Sequence, residues 1–332
     1  MWNRLLGGGR SQPEPVRAGL FGKVPALPDF VQFGPVSDGV RELRDWLDAA
    51  VSWGSLRRPE AREAFRAEQG RIYAFVFRPR TSGRELVAGV LKPSRDAVGR
   101  SFPLSVYASL PSEPVERHPE LLPLVLGDFL EQTLQVAFAP DPLATIGGLD
   151  ALVARGELDV LGALGAHERD YAGWADSTPL GNVVSALCGA GGAPAALGAV
   201  ATIREAIAPF HGQERPSTRV SVRLPLGSGG VGAAAFWLDV VRRSAGVRST
   251  VPSAFWSADA LGGDVLVQLG DTPESSLAEL WAPDASSEHT CNLTLPNGVA
   301  TDSFLSRLPP AIHHVFQRPD ARVADLLDAL TA

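Results

Sequence analysis

Long apolar runs are missing from this sequence. No stretch of about 18 apolar residues occurs, so no helix-length membrane span is expected. Cysteine is nearly absent: Cys188 and Cys291 are the only two, so at most one bridge could form, and reduced thiols are the expected state. Positive charge is also short. Thirty Lys and Arg stand against 37 Asp and Glu, a net charge of −7, which speaks against a nucleic-acid or anionic-membrane partner. The opening residues 1–16 lack an apolar stretch of secretory length and read as a flexible leader rich in Gly, Pro and polar residues. A cytoplasmic, soluble protein is the expectation.

Familiar catalytic signatures are lacking too. The six histidines (118, 167, 211, 289, 313 and 314) show no HExxH or paired metal spacing. His289-x-Cys291 offers two ligands, too few for a metal. There is no G-x-S-x-G elbow, and the one Gly-Lys pair, Gly22-Lys23, continues with Val24 and has no upstream glycine of a P-loop. Neither a catalytic site, a metal nor a cofactor is expected.

What is present is the composition of a globular protein, 45% hydrophobic and 20% charged over 332 residues. Residues 18–24 form a strand candidate. From Ser37, a candidate N-cap, Val40, Leu43, Leu47, Ala50 and Val51 recur on one helical face, widened by Trp46 and Trp53 and ended by Gly54. A short charged helix is expected from Pro59. Strand candidates follow at 71–77, 85–91 and 102–110, the last two joined only by a loop and so expected to pair antiparallel. One long helix is expected within 118–138, beginning at Pro119 or Pro123.

The second half begins after residues 139–142. Helices are expected at 175–189, 192–209, 231–244, 275–281 and 320–330. Residues 218–226 alternate as a half-buried strand, and 252–258 and 264–270 are strands. Residues 286–303 read as loop or an edge hairpin with Asn297-Gly298 as its turn. The domain expectation is a leader (1–16), an α/β domain (17–140) and an α/β extension (141–332). The fold expected is a layered α/β/α sandwich with a mixed, largely antiparallel sheet.

Gly227-Ser228-Gly229-Gly230-Val231-Gly232 matches G-x-G-x-x-G between a strand and a helix, with Asp259 further on. That admits a nucleotide-binding enzyme. Against it, Arg219, Ser221 and Arg223 alternate along a strand that in a dinucleotide fold would be covered on both faces and almost wholly apolar. A plain glycine-rich turn is the competing reading.

Two loops draw the functional reading. One holds Gly22, Lys23, Pro25, Asp29 and Phe30; the other holds Pro93, Ser94, Arg95, Asp96, Gly99 and Arg100. Asp96 can cap its own loop or pair with Arg95 or Arg100. Alternatively the charges form an edge that docks a partner.

At these residues the sequence resembles the type VI secretion-associated TagF family, also called ImpM. The family's G-K-L-P-x-x-G-D-F is similar to Gly22–Phe30, with Pro28 in place of the family's glycine. Its D-x-W-L-like helix resembles Asp45-Trp46-Leu47, and G-V-L-x-P-S-x-D-x-V-G-R-x-F-P-L resembles Gly89–Leu104. A later S-x-F-W strand is similar to Ser253–Trp256. The resemblance implies an α/β/α sandwich and a non-enzymatic cytoplasmic accessory that restrains secretion by protein binding, through a forkhead-associated scaffold protein. A constitutive structural subunit of the machinery is the other reading. On this basis Lys23, Asp29, Arg95 and Arg100 are candidate partner-binding residues. Gly22, Pro25, Phe30, Trp46, Pro93, Ser94, Asp96, Gly99, Phe102, Pro103 and Trp256 are motif residues that shape the fold.

Overall fold

A computed structural model describes residues 16–57, 59, 60, 63, 71–189, 192–208, 219–246, 251–258, 263–282, 289–294 and 302–331. The leader through residue 15, most of the helix expected from Pro59, His211, Asp259 and the Asn297-Gly298 turn lie outside the described residues.

The first strands are β1 (Arg17–Gly22) and β2 (Val31–Phe33), followed by helix α1 (Asp38–Arg57) and strands β3 (Tyr73–Phe77), β4 (Glu85–Lys92) and β5 (Leu104–Pro111). A 3₁₀ turn (Pro119–Leu121) leads into α2 (Leu122–Val125), α3 (Gly127–Phe138), α4 (Pro142–Ala154), α5 (Leu164–Ser177), α6 (Leu180–Cys188) and α7 (Gly192–Ile207). Then come β6 (Val220–Gly227), α8 (Gly230–Ala245), β7 (Ser253–Ser257), β8 (Gly263–Leu269), α9 (Ser275–Trp281), β9 (Thr290–Asn292), α10 (Asp302–Leu305), α11 (Pro310–Gln317) and α12 (Val323–Ala329).

Among the described residues, nine strands form one sheet in the order β2-β1-β5-β4-β3-β7-β8-β6-β9. Every pairing is antiparallel except β6 with β9, which is parallel. The α/β architecture with a mixed, largely antiparallel sheet is therefore the one expected. The sheet passes from the first half of the chain to the second through β3 and β7, whose partners run from Tyr73–Ser257 to Val76–Ala254.

Strand alternation sends side chains to two helical layers. One face carries Phe21, Tyr73, Phe75, Phe77, Tyr107 and Phe255, and α1 and α9 cover it with Val40, Leu43, Trp46, Leu47, Leu280 and Trp281. The other face is mostly Ala, Val and Leu, including Ala74, Val76, Ala88, Val90 and Val106, with Trp256 in the second half. Helices α3, α4, α6, α7 and α8 contact the strands on that side. Burial of each large side chain stabilises by about 1.5–3 kcal/mol, so these two layers dominate the fold.

Ser37 caps α1: its hydroxyl accepts the Val40 N–H at 3.2 Å, and the Glu85 carboxylate accepts the Gly39 N–H at 3.0 Å. An anion there also suits the positive end of the helix dipole. The helix does not stop at Gly54 as expected. It continues to Arg57, with Gly54 lying against α9, where a Cβ would sit 3.5 Å from that of Ala278. Packing outweighs the glycine's modest helix penalty.

Other expectations change as well. The long helix at 118–138 is broken, its halves meeting at 56° around Leu126. Helices α4 and α5 were not foreseen, and the expected helix at 175–189 is divided by Thr178-Pro179, with α6 beginning at Leu180. Within the segment read as loop or an edge hairpin, residues 290–292 form a parallel edge strand on β6.

Strand β6 is the most informative correction. Ser221 and Arg223, read as the exposed side of a half-buried strand, are 0% and 1% exposed. They point under α9, where Arg223 donates to the Glu279 carbonyl at 2.8 Å and pairs with Asp264 at 3.1 Å.

Candidate functional site

The loop between β4 and β5 is built around Asp96. Its Oδ1 accepts the backbone N–H groups of Val98 (3.1 Å) and Arg100 (2.8 Å), and its Oδ2 accepts Arg100 Nε at 2.7 Å. The backbone closes as well: Asp96 N–H donates to the Arg100 carbonyl at 3.0 Å, and Phe102 N–H to the Ser94 carbonyl at 3.0 Å. Gly99 sits at φ +85°, a turn conformation that glycine adopts without strain. Pro93 and Ser94 are buried at the root of the loop.

Lys23, from the loop after β1, reaches the same carboxylate, with Nζ 2.9 Å from Asp96 Oδ2. Both side chains are almost sealed, Lys23 at 6% exposure and Asp96 at 0%, whereas that of Arg100 is 58% exposed. Burial alone would raise the Asp96 carboxyl. The hydrogen bonds from Lys23 and from Arg100, through both its backbone and its side chain, outweigh that and hold the group well below the usual carboxylate range. A buried carboxylate with two cations and two backbone donors is a fully satisfied one.

This carboxylate joins two loops. Ala97 N–H donates to the Leu27 carbonyl at 2.9 Å, and the Arg100 guanidinium donates to the Pro28 carbonyl. A turn closes the first loop, with Leu27 N–H on the Val24 carbonyl at 3.2 Å. Pro28 sits after that turn, at negative φ. Gly22 is needed where it stands: φ is +140°, and a Cβ there would lie 2.1 Å from the Pro103 carbonyl oxygen.

An aromatic cluster underlies the pair. Phe30 stacks on Phe21 with centroids 5.7 Å apart and meets Phe102 edge-on at 4.8 Å. Arg44 of α1 lies over the outer part of the cluster, 4.3 Å from the Phe21 centroid, and Lys23 Nζ is 5.0 Å from that of Phe30.

Three large apolar side chains remain outside this framework: Leu27 is 38% exposed, Phe30 46% and Val98 66%. Among the described residues only Phe138 and Val231 join them as exposed large hydrophobics. The sequence reading had placed Phe30 among the shaping residues and had passed over Leu27 and Val98. Their signal was available: apolar residues inside Pro-, Gly- and charge-rich turns have no core within reach.

The candidate binding residues separate by position. Arg95 and Arg100 lie at the surface of the second loop, and Arg95 forms an antiparallel bridge with Ser101. Asp29 is exposed, its Oδ1 accepting the Phe30 N–H at 2.8 Å. Lys23 is interior. Of the shaping residues, Pro25 is exposed on the first loop, Phe102 is buried in the aromatic cluster, and Pro103 lies beside Gly22. Trp46 is buried and donates to the Pro273 carbonyl at 3.0 Å; Trp256 is buried on the opposite face of the sheet.

The Gly227–Gly232 segment links β6 to α8 as a tight turn. Gly227 has φ +50°, and a Cβ there would fall 1.8 Å from the Ala186 carbonyl oxygen. That carbonyl, at the end of α6, accepts the Ser228 N–H at 3.2 Å. A close helix approach explains the glycine, and β6 pairs antiparallel with β8, unlike the first strand of a dinucleotide unit.

A cavity of about 250 Å³ is lined by His118, Glu120, Tyr171, Asp239, Arg242 and Arg243 among others. Both of its arginines are paired, Asp239 holding Arg242 at 2.7 Å and Arg243 at 3.0 Å, and Glu120 meeting Arg242 at 2.9 Å. Among the described residues no group of three His, Cys, Asp or Glu side chains could hold a metal ion.

Residues 19–153 match the family model of the TagF N-terminal domain, type VI secretion system-associated. The comparison with curated proteins finds no match. Among solved structures, PA0076 from Pseudomonas aeruginosa PAO1 is similar at 16% identity and a TM-score of 0.43, over 81% of this chain and 96% of that one. Both paired loops and the exposed trio fall inside the matched segment, residues 19–153, which is similar to the TagF N-terminal domain of type VI secretion system-associated proteins.

Proposed function

We propose that this chain is a non-enzymatic cytoplasmic accessory protein of a type VI secretion system, acting by protein–protein binding to restrain assembly. The observation that carries the reading is the division of labour in the two loops. Their buried charges, Lys23 and Asp96, hold the loops to each other, and what the loops turn outward is Leu27, Phe30 and Val98 beside Arg100. A rigid, partly apolar projection suits a contact surface, because little conformational entropy remains to be lost on binding. A forkhead-associated scaffold protein is the partner that the family resemblance suggests. The glycine-rich turn does not favour the nucleotide-binding alternative, since the Ala186 carbonyl closes against it.

The test is secretion in the host. Deleting the gene is expected to raise type VI secretion, and restoring the wild-type chain to lower it again. A deletion that leaves secretion unchanged overturns the restraining role. A deletion that abolishes secretion favours a constitutive structural subunit instead.

A further inference from the structure

We propose that the recess between α7, α8 and α10 binds a small monocarboxylate with an apolar body, a molecule of the size of benzoate or hexanoate. The site is separate from the paired loops and does not depend on the role proposed above.

The recess has a volume of about 210 Å³, the bulk-liquid volume of about seven waters. Two of its polar groups lack a full set of partners. Arg204 of α7 donates to the Leu330 carbonyl, just past α12, at 3.0 Å, and among the described residues no carboxylate meets it. Burial lowers the pKa of that guanidinium, with no anion to offset the effect. A guanidinium engaged through one nitrogen keeps further N–H groups for a second acceptor. Ser244 of α8, 5% exposed, lines the same recess, and among the described residues its hydroxyl has no hydrogen-bond partner. Buried hydroxyls are ordinarily matched, so both groups call for an acceptor here.

The rest of the wall decides what that acceptor belongs to. Ala201 and Leu308 are buried and Phe304 is half-buried, an apolar side against which a hydrocarbon body packs. Arg307, 5.9 Å from the Phe304 ring centroid, is held by Glu205 at 2.6 Å. Two arginines against one carboxylate leave a single positive excess among the described lining residues, which one carboxylate balances. A phosphate monoester carries more than one charge at neutral pH and would set the surplus against Glu205. A cation would meet the unpaired Arg204.

The test is saturation-transfer NMR on the full chain at pH 7. Benzoate and hexanoate are the probes, with benzyl alcohol and phenyl phosphate as the neutral and doubly charged counterparts. Both carboxylates are expected to bind with a Kd of about 1 mM or tighter, and the two counterparts about tenfold more weakly. Arg204→Gln should weaken benzoate about tenfold. Ser244→Ala should weaken it about threefold while the thermal midpoint stays unchanged or rises, since the hydroxyl removed had no partner to lose. That second variant keeps the test decisive if loss of the Leu330 contact unsettles Arg204→Gln. No transfer to either carboxylate, equal binding of benzyl alcohol or phenyl phosphate, or benzoate affinity unchanged in either variant overturns the proposal.

Discussion

Two carboxylates in this protein are held in nearly the same way, with opposite consequences. Asp264 on β8 pairs with Arg223, 1% exposed, and Arg71, 42% exposed; Asp96 pairs with Lys23, 6% exposed, and Arg100, 58% exposed. Each has one sealed cation and one that reaches solvent. The Asp264 group lies between the sheet and α9. There Arg223 also donates to the Glu279 carbonyl, and Tyr73 Oη donates to the Leu280 carbonyl at 2.8 Å. It ties strands and helix from inside. The Asp96 group lies in a loop, where the same chemistry fixes the shape of a surface. Context, more than residue type, decides whether a buried ion pair staples a core or shapes a surface loop.

The largest effect should come from breaking the inner group. Asp264→Ala leaves the Arg223 guanidinium buried without its anion and should lower stability by about 3–5 kcal/mol in urea titrations. Replacing both partners, Arg223→Met with Asp264→Leu, should recover much of that loss, since an apolar pair of similar volume avoids the unpaired charge.

The outer group should respond differently. Asp96→Ala strands the Lys23 ammonium as Asp264→Ala strands Arg223, yet it is expected to destabilise less, because both partners stand in loops that can shift to hydrate the ammonium. Its effect should be concentrated in amide exchange at Val98 and Arg100, whose N–H groups it frees, and in partner binding, which should be lost.

Acid sharpens the contrast further. The folded-state pKa of Asp96 lies below that of the unfolded chain, so its stabilising contribution is complete above about pH 4 and lost as pH falls through the folded value. Exchange protection of the Val98 and Arg100 amides should therefore hold at neutral pH and fall in strong acid. Asp96→Asn should remove that pH dependence. Unchanged protection down to pH 2 or so would contradict it.

The smallest stability effect belongs to Val98→Asp. With the side chain at the surface and only its backbone N–H engaged, the change should stay within about 0.5 kcal/mol in thermal unfolding.

The sequence showed the hairpin of β4 and β5, the capped start of α1 and the role of Asp96 as an acceptor for its own loop, all set by neighbours a few residues apart. It did not show that Lys23 is interior, because the Lys23–Asp96 contact joins loops far apart in the chain. For the same reason the alternation of Ser221 and Arg223 was read as one wet face. Period-two patterning separates the two sides of a strand, yet it does not say that α9 covers the polar one. The split of the 118–138 helix around Leu126 and the unforeseen α4 share a cause: their apolar content is high all round, which blurs helical periodicity. Helix α5 was missed for the opposite reason, being largely polar and burying only Ala175.

The measurement that bears most directly on the central claim is quantitative recovery of type VI secretion components from host lysate by wild type and by Val98→Asp, both first shown to unfold at the same temperature. An exposed side chain at the centre of a contact surface predicts about tenfold less recovery by the variant. Equal recovery would contradict the claim and leave the paired loops as scaffold alone.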